Sequence, residues 1–69
     1  MTEMQYRRAA ESVRKEVSST KSVAKMYRNT IALADMADKL DVEIETLLKL
    51  AEELDKAANA AREEQSDED

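Results

Sequence analysis

The 69-residue sequence contains no cysteine, histidine, glycine or proline. The absence of cysteine excludes disulfides, and without cysteine or histidine only carboxylates and backbone groups remain as metal ligands. The sequence also lacks a Ser-His or Cys-His pair and a glycine-rich phosphate loop. We therefore expect a protein that is not an enzyme, with no catalytic residues, no cofactor and no metal.

The missing glycine and proline also bear on the fold, because strand-rich proteins need many turns and these residues form them. The only aromatic residues are Tyr6 and Tyr27, while alanine, leucine, glutamate and lysine, all strong helix formers, are abundant. This composition predicts an all-α protein. The sequence contains no run of 18 apolar residues, the length that a helix needs to cross a bilayer, and its N-terminus lacks the apolar stretch of a secretory signal. We expect no membrane contact and, by elimination, a cytoplasmic location.

Charge is divided unevenly along the chain, whose formal net charge is −5. Residues 1–29 carry seven cations and three acids, whereas residues 30–69 carry four cations and thirteen acids. The favoured interpretation is that the two halves pack together and neutralise each other. The alternative is that the basic half contacts nucleic acid, through the cations Arg7, Arg8, Arg14, Lys15, Lys21, Lys25 and Arg28.

Apolar residues follow two heptad seams of the kind found in coiled coils. The first and weaker seam runs from Tyr6 to Ala34, and the second, richer in leucine, runs from Leu33 to Ala61. The seams lie on different faces, so the chain must bend or its helices must pack on more than one side. The candidate interface residues on these seams are Tyr6, Val13, Tyr27, Ile31, Leu40, Ile44, Leu47 and Leu54.

Helix-capping residues indicate where the chain could bend. Thr2 and Gln5 have the spacing of a capping box, so a helix should begin after Thr2. Candidate breaks follow at Ser18–Thr20, at Asn29–Thr30 and at Asp41, where hydroxyl, amide or carboxylate groups could cap a new helix. The pattern predicts helices at about 3–17, 20–40 and 43–63. Because the seven-residue spacing of the second seam continues unbroken through Asp41, a single helix from about 20 to 63 is the alternative.

The expected fold is a small bundle of about three helices. We expect dimerisation to complete it, because a single core of this size stabilises the folded state by only about 3–5 kcal/mol. Residues 1–63 form the single helical domain in this prediction. Residues 64–69 contain four acids and no apolar residue, and they are predicted to be a disordered acidic tail.

Residues 31–50 resemble the helix-turn-helix unit of Cro and the repressors. Met36, Ala37 and Leu40 match its first helix, Val42 the buried residue after the turn, and Leu47 and Leu50 the buried side of its second helix, with Thr46 where Ser or Thr is common. The resemblance covers 20 of the 69 residues and implies a nucleic-acid-associated regulator. The seams and the small core favour a different function, a helical protein-interaction or regulatory module that forms homo-oligomers and binds a protein partner. Nucleic acid is the less favoured partner.

Overall fold

The computed structural model describes residues 1–67, which fold into two antiparallel helices joined by a short turn. Helix α1 spans Glu3–Arg28, a single 3₁₀ turn spans Ile31–Leu33, and helix α2 spans Ala34–Asp67. The resulting rod measures 59 × 14 × 12 Å. The all-helical prediction is confirmed for the described residues, but the prediction of about three helices is wrong.

Helix α1 begins at the predicted capping box. The Gln5 backbone N–H donates to Thr2 Oγ1 at 3.3 Å, and the Thr2 backbone N–H donates to Gln5 Oε1 at 2.8 Å. These reciprocal bonds satisfy donors that the first helical turn leaves without partners. The predicted helix start after Thr2 is therefore confirmed.

The predicted break at Ser18–Thr20 is absent, because the hydroxyl groups there bond within the helix. Thr20 Oγ1 donates to the Glu16 carbonyl oxygen at 2.9 Å, and Ser22 Oγ donates to the Ser18 carbonyl oxygen at 3.2 Å. A hydroxyl that donates to the carbonyl four residues earlier does not cap a new helix. Helix α1 thus continues from the predicted first helix into the predicted second one.

The predicted break at Asp41 is absent for a different reason. The Asp41 carboxylate forms an ion pair with Arg28 across the hairpin and does not cap a helix. Helix α2 passes through Asp41 and ends at Asp67. It therefore includes residues 64–67 of the segment predicted to be a tail, while Glu68 and Asp69 lie outside the described residues.

The chain reverses at Asn29–Thr30, the remaining predicted bend. Asn29 keeps a helical conformation (φ −78°, ψ −5°), and Thr30 is extended (φ −118°, ψ 114°). Hydrogen bonds hold the turn: the Thr30 N–H donates to the Tyr27 carbonyl at 3.0 Å, and the Leu33 N–H donates to the Thr30 carbonyl at 2.9 Å. No residue from 1 to 67 has a positive φ, so the reversal does not require glycine.

The buried core lies along the line between the two helices. Its members recur every seven residues: Ala10, Val17 and Ala24 in α1, and Ala37, Ile44, Ala51 and Ala58 in α2. We assign these residues to heptad position a. Position d is then occupied by Tyr6, Val13, Thr20 and Tyr27 in α1, by Leu33 in the 3₁₀ turn, and by Leu40, Leu47, Leu54 and Ala61 in α2. Along each helix, therefore, one residue in every seven is buried and the residue three positions later is half-buried.

Candidate interaction surface

The hairpin has two broad faces, which differ in chemistry. Around each helix, position e lies beside position a, and position g lies beside position d. One face therefore consists of positions a and e from both helices, and the opposite face consists of positions d and g. We call the first the bridge face and the second the leucine face.

The bridge face carries charged side chains that cross from one helix to the other, together with Leu48 at position e, which is 42% exposed. Arg14 pairs with Asp55, and Arg28 pairs with Asp41, all four at position e. Arg28 lies fourteen residues after Arg14 in α1, and Asp41 lies fourteen residues before Asp55 in α2, so both pairs follow the same antiparallel register. The alanines at position a, on the same face, are almost completely buried.

Arg7 contributes a third cross-helix contact near the open end of the hairpin. Its Nη2 donates to Asn59 Oδ1 at 3.1 Å, and it also pairs with Glu3 in its own helix at 2.9 Å. The basic first helix therefore lies against the acidic second helix, as the uneven charge predicted. These pairs are exposed, so each stabilises the hairpin by about 0–1 kcal/mol.

The leucine face is less completely covered. Every described residue at position d is only half-buried, including the large side chains Tyr6, Tyr27, Leu40, Leu47 and Leu54. At position a, by contrast, even Ile44 is only 8% exposed. The hairpin therefore buries one side of its d residues and leaves their other side facing solvent.

Position g extends this apolar surface on both edges. Ala9 and Ala57 are half-buried there, while Val23, Met36 and Leu50 are exposed, with Leu50 47% exposed. A shallow concavity at the open end joins Tyr6 to Ala57 and Ala61, which places a d residue of α1 beside d and g residues of α2. Glu16 and Glu43 are the exposed acids at position g along the middle of the face.

The structure brings together seven of the eight predicted interface residues. Tyr6, Val13 and Tyr27 from α1 lie along the same seam as Leu40, Ile44, Leu47 and Leu54 from α2. Ile31 does not belong to this group, because it lies in the turn and is 96% exposed. The first seam was predicted to continue to Ile31 and Ala34, but α1 ends at Arg28. Leu50, Val23 and Met36 were not on the predicted list, although their heptad positions could have identified them.

Of the seven basic residues of α1, four form ion pairs with described side chains and three do not. Arg7, Arg14 and Arg28 contact α2, and Lys15 pairs with Glu11 at 3.6 Å within α1. Arg8, Lys21 and Lys25 form no ion pair with any side chain that the structure describes. The cations are thus spread over the bridge face and the outside of α1.

The helix-turn-helix resemblance of residues 31–50 is not matched by the structure. Residues 34–50 belong to one uninterrupted helix, so there is no turn between Leu40 and Val42. Thr46 Oγ1 donates to the Val42 carbonyl oxygen at 3.1 Å, which is a bond inside that helix. The two short helices that the resemblance implies are therefore absent here.

The described residues contain no cluster of His, Cys, Asp or Glu suited to holding a metal ion. None of their helices combines the length and the apolar character that a membrane span requires. The sequence matches no protein-family model, and comparisons with curated proteins and with solved structures find no similar protein.

Proposed function

We propose that the protein is a small interaction module that binds another protein, helix against helix, through its leucine face. The observation that carries the proposal is the half-exposure of Leu40, Leu47 and Leu54 in a row beside the exposed Leu50. Exposed apolar patches with polar edges are typical of protein contact sites. Adding one or two helices to this face would give a three- or four-helix bundle.

Self-association is part of this proposal. The core from residue 1 to 64 contains five alanines, one valine and one isoleucine, and no large side chain in it is fully buried. Small domains of this kind are usually stabilised by a disulfide, a metal or another chain. The chain has no cysteine, and a second chain could cover the leucines.

Site-specific photo-crosslinking tests the proposal in the cells that make the protein. A benzophenone amino acid replaces either Leu50, on the leucine face, or Lys49, which lies about 100° away around the same helix. We expect protein adducts from position 50 and few or none from position 49. Equal yields from the two positions, or no protein adduct from position 50, would contradict the proposal.

The alternative function is nucleic-acid-associated regulation through the basic residues of α1. The observation that favours it is that Arg8, Lys21 and Lys25 form no ion pair with described side chains. Binding of a mixed-sequence DNA duplex and of RNA, each at two salt concentrations, tests it. Phosphate contacts require affinity to fall steeply as salt rises. Absence of binding at low salt would exclude this alternative.

A further inference from the structure

We infer that the leucine face is covered by a second copy of the same chain, with both hairpin turns at the same end of the dimer. In this arrangement α1 of each copy lies on α2 of the other. The inference rests on the proposed function, since it names the occupant of that same face. It is supported by surface area, by symmetry and by the charge of each helix.

The accessible surface of the chain is larger than its mass requires. A compact monomer of 7.8 kDa has about 4,400 Å² of accessible surface, whereas this chain has 5371 Å². The broad face, 59 by 14 Å, has a projected area of about 800 Å², which is what each partner buries in a stable protein interface. The broad face is therefore large enough to form a stable interface with a second copy.

A second copy fits this face because the contact can close on itself. The apolar residues lie on both helices and along much of the length of the rod, from Tyr6 and Ala61 at the open end to Tyr27 and Leu40 near the turn. Two such faces related by a two-fold axis bury each other completely and leave no open surface for further copies. The result is a four-helix bundle built from two hairpins.

Charge selects between the two ways of stacking the faces. Helix α1 carries seven cations and three acids, and α2 carries four cations and eleven acids. A two-fold axis parallel to the helices lays each α1 on the partner's α2 and keeps both turns together. A two-fold axis across the helices lays α1 on α1 and α2 on α2, and juxtaposed like charges are unfavourable. The first arrangement is therefore preferred.

Two exposed acids on the face report on this choice. Glu16 belongs to α1 and Glu43 to α2, and both are at position g. In the inferred dimer Glu16 lies beside the partner's acidic helix, and Glu43 lies beside its basic helix. At low salt, Glu16→Lys should tighten the dimer severalfold and Glu43→Lys should weaken it severalfold. The opposite pair of effects would overturn the inferred arrangement.

Distance measurement on the full chain tests the arrangement directly. Because the sequence has no cysteine, Asn29→Cys places one spin label at each turn. With the turns together, the label-to-label distance should be within about 30 Å, since neighbouring helices in a bundle lie only 8–10 Å apart. With the turns at opposite ends, the distance approaches the 59 Å length of the rod and overturns the inference. Lys49→Cys, near the middle of α2, should give a short distance in both arrangements and is the control.

Sedimentation equilibrium separates this inference from the proposed function. We expect twice the 7.8 kDa chain mass at micromolar concentration. A folded monomer would show that a second copy does not cover the leucine face. In that case a crosslinker at position 50 would still react with a different protein if the proposed function is correct. A dimer with labels far apart would overturn the orientation alone.

Discussion

Alanine at position a determines how closely the two helices approach. Ala10, Ala24, Ala37, Ala51 and Ala58 are each at most 4% exposed. A methyl side chain at the contact line lets the helix backbones lie near the short end of the usual 8–10 Å range. The apolar area that each alanine buries is small, so close packing takes the place of large side chains.

Enlarging one of these alanines should force the helices apart. Ala51 is 2% exposed and central on the contact line, so Ala51→Leu should lower the free energy of unfolding by about 1–3 kcal/mol through overpacking. Chemical denaturation measures the change. Ala60→Leu is the matched control, because Ala60 is exposed in the same helix and its substitution should change stability by less than about 0.5 kcal/mol. Equal effects of the two substitutions would contradict the close-packing explanation.

Ile44 is the largest side chain among the buried residues. Ile44→Ala should lower the free energy of unfolding by about 2–4 kcal/mol, because it removes buried methyl groups and leaves a cavity. Val42→Ala, at a residue that is 63% exposed only two positions away, should change stability by less than about 0.5 kcal/mol. A urea melt of each variant checks both values, and a loss below about 1 kcal/mol for Ile44→Ala would contradict the assigned core.

At the scale of the elements, the turn is built entirely from residues in ordinary conformations. Asn29 closes α1 in a helical conformation, and its backbone N–H donates to the Met26 carbonyl at 3.3 Å. Glycine is the usual residue after a helix because many helix ends need a positive φ. Asn29 does not need one, so replacing it with glycine brings no relief of strain.

Asn29→Gly should therefore destabilise the hairpin. Glycine has greater conformational freedom in the unfolded chain, and fixing it here should cost about 0.5–1 kcal/mol. Asn29→Ala, which keeps the ordinary φ preference, is the control and should be close to neutral. Thermal and denaturant melts measure both variants. A more stable Asn29→Gly protein would show that the turn needs a positive φ.

The elements also show which parts of the fold the sequence could predict. The capping box at Thr2 depends on residues close together in the chain, and this prediction was confirmed. The seam spacing matches the buried and half-buried residues of both helices, but the first seam stops at Tyr27 and does not reach Ala34. The two wrong breaks depended on groups whose partners cannot be read from spacing. Asp41 looked like a helix cap because its partner, Arg28, lies across the turn. Thr20 looked like a helix start because a hydroxyl can cap a helix or bond within it equally well.

The candidate interaction surface was predictable to the same degree. Heptad spacing grouped seven of the eight candidate interface residues that the structure places along one seam, and their role in binding stays a prediction. The cross-helix pairs Arg14–Asp55 and Arg28–Asp41 join e positions, on the same face as position a, and spacing along the chain does not give these partners. Ile31 lies apart from the other seven because the seam spacing continues into the turn, where α1 has already ended.

At the scale of the whole molecule, the hairpin is a rod whose bridge face carries the cross-helix ion pairs and the exposed Leu48, and whose leucine face carries a row of half-buried leucines. Isolated helix pairs of this size have little stability of their own, so most of the folding free energy should come with association. The stability of such a protein depends on its concentration, because unfolding also separates the chains.

The melting temperature should therefore rise with protein concentration. A hundredfold increase stabilises a dimer by about 2.7 kcal/mol, which corresponds to a rise of about 5–10 °C for a bundle of two such chains. Calorimetry between roughly 5 and 500 μM measures this rise in melting temperature.

Leu47→Ala truncates a half-buried leucine at the centre of the leucine face, so it should lower the melting temperature and shift the dimer–monomer transition to higher concentration. Val42→Ala, on the outer side of the same helix, should leave the concentration dependence unchanged. A melting temperature of the unsubstituted chain that stays constant across the range would show that the hairpin is stable alone and that its leucines do not contribute through a second copy.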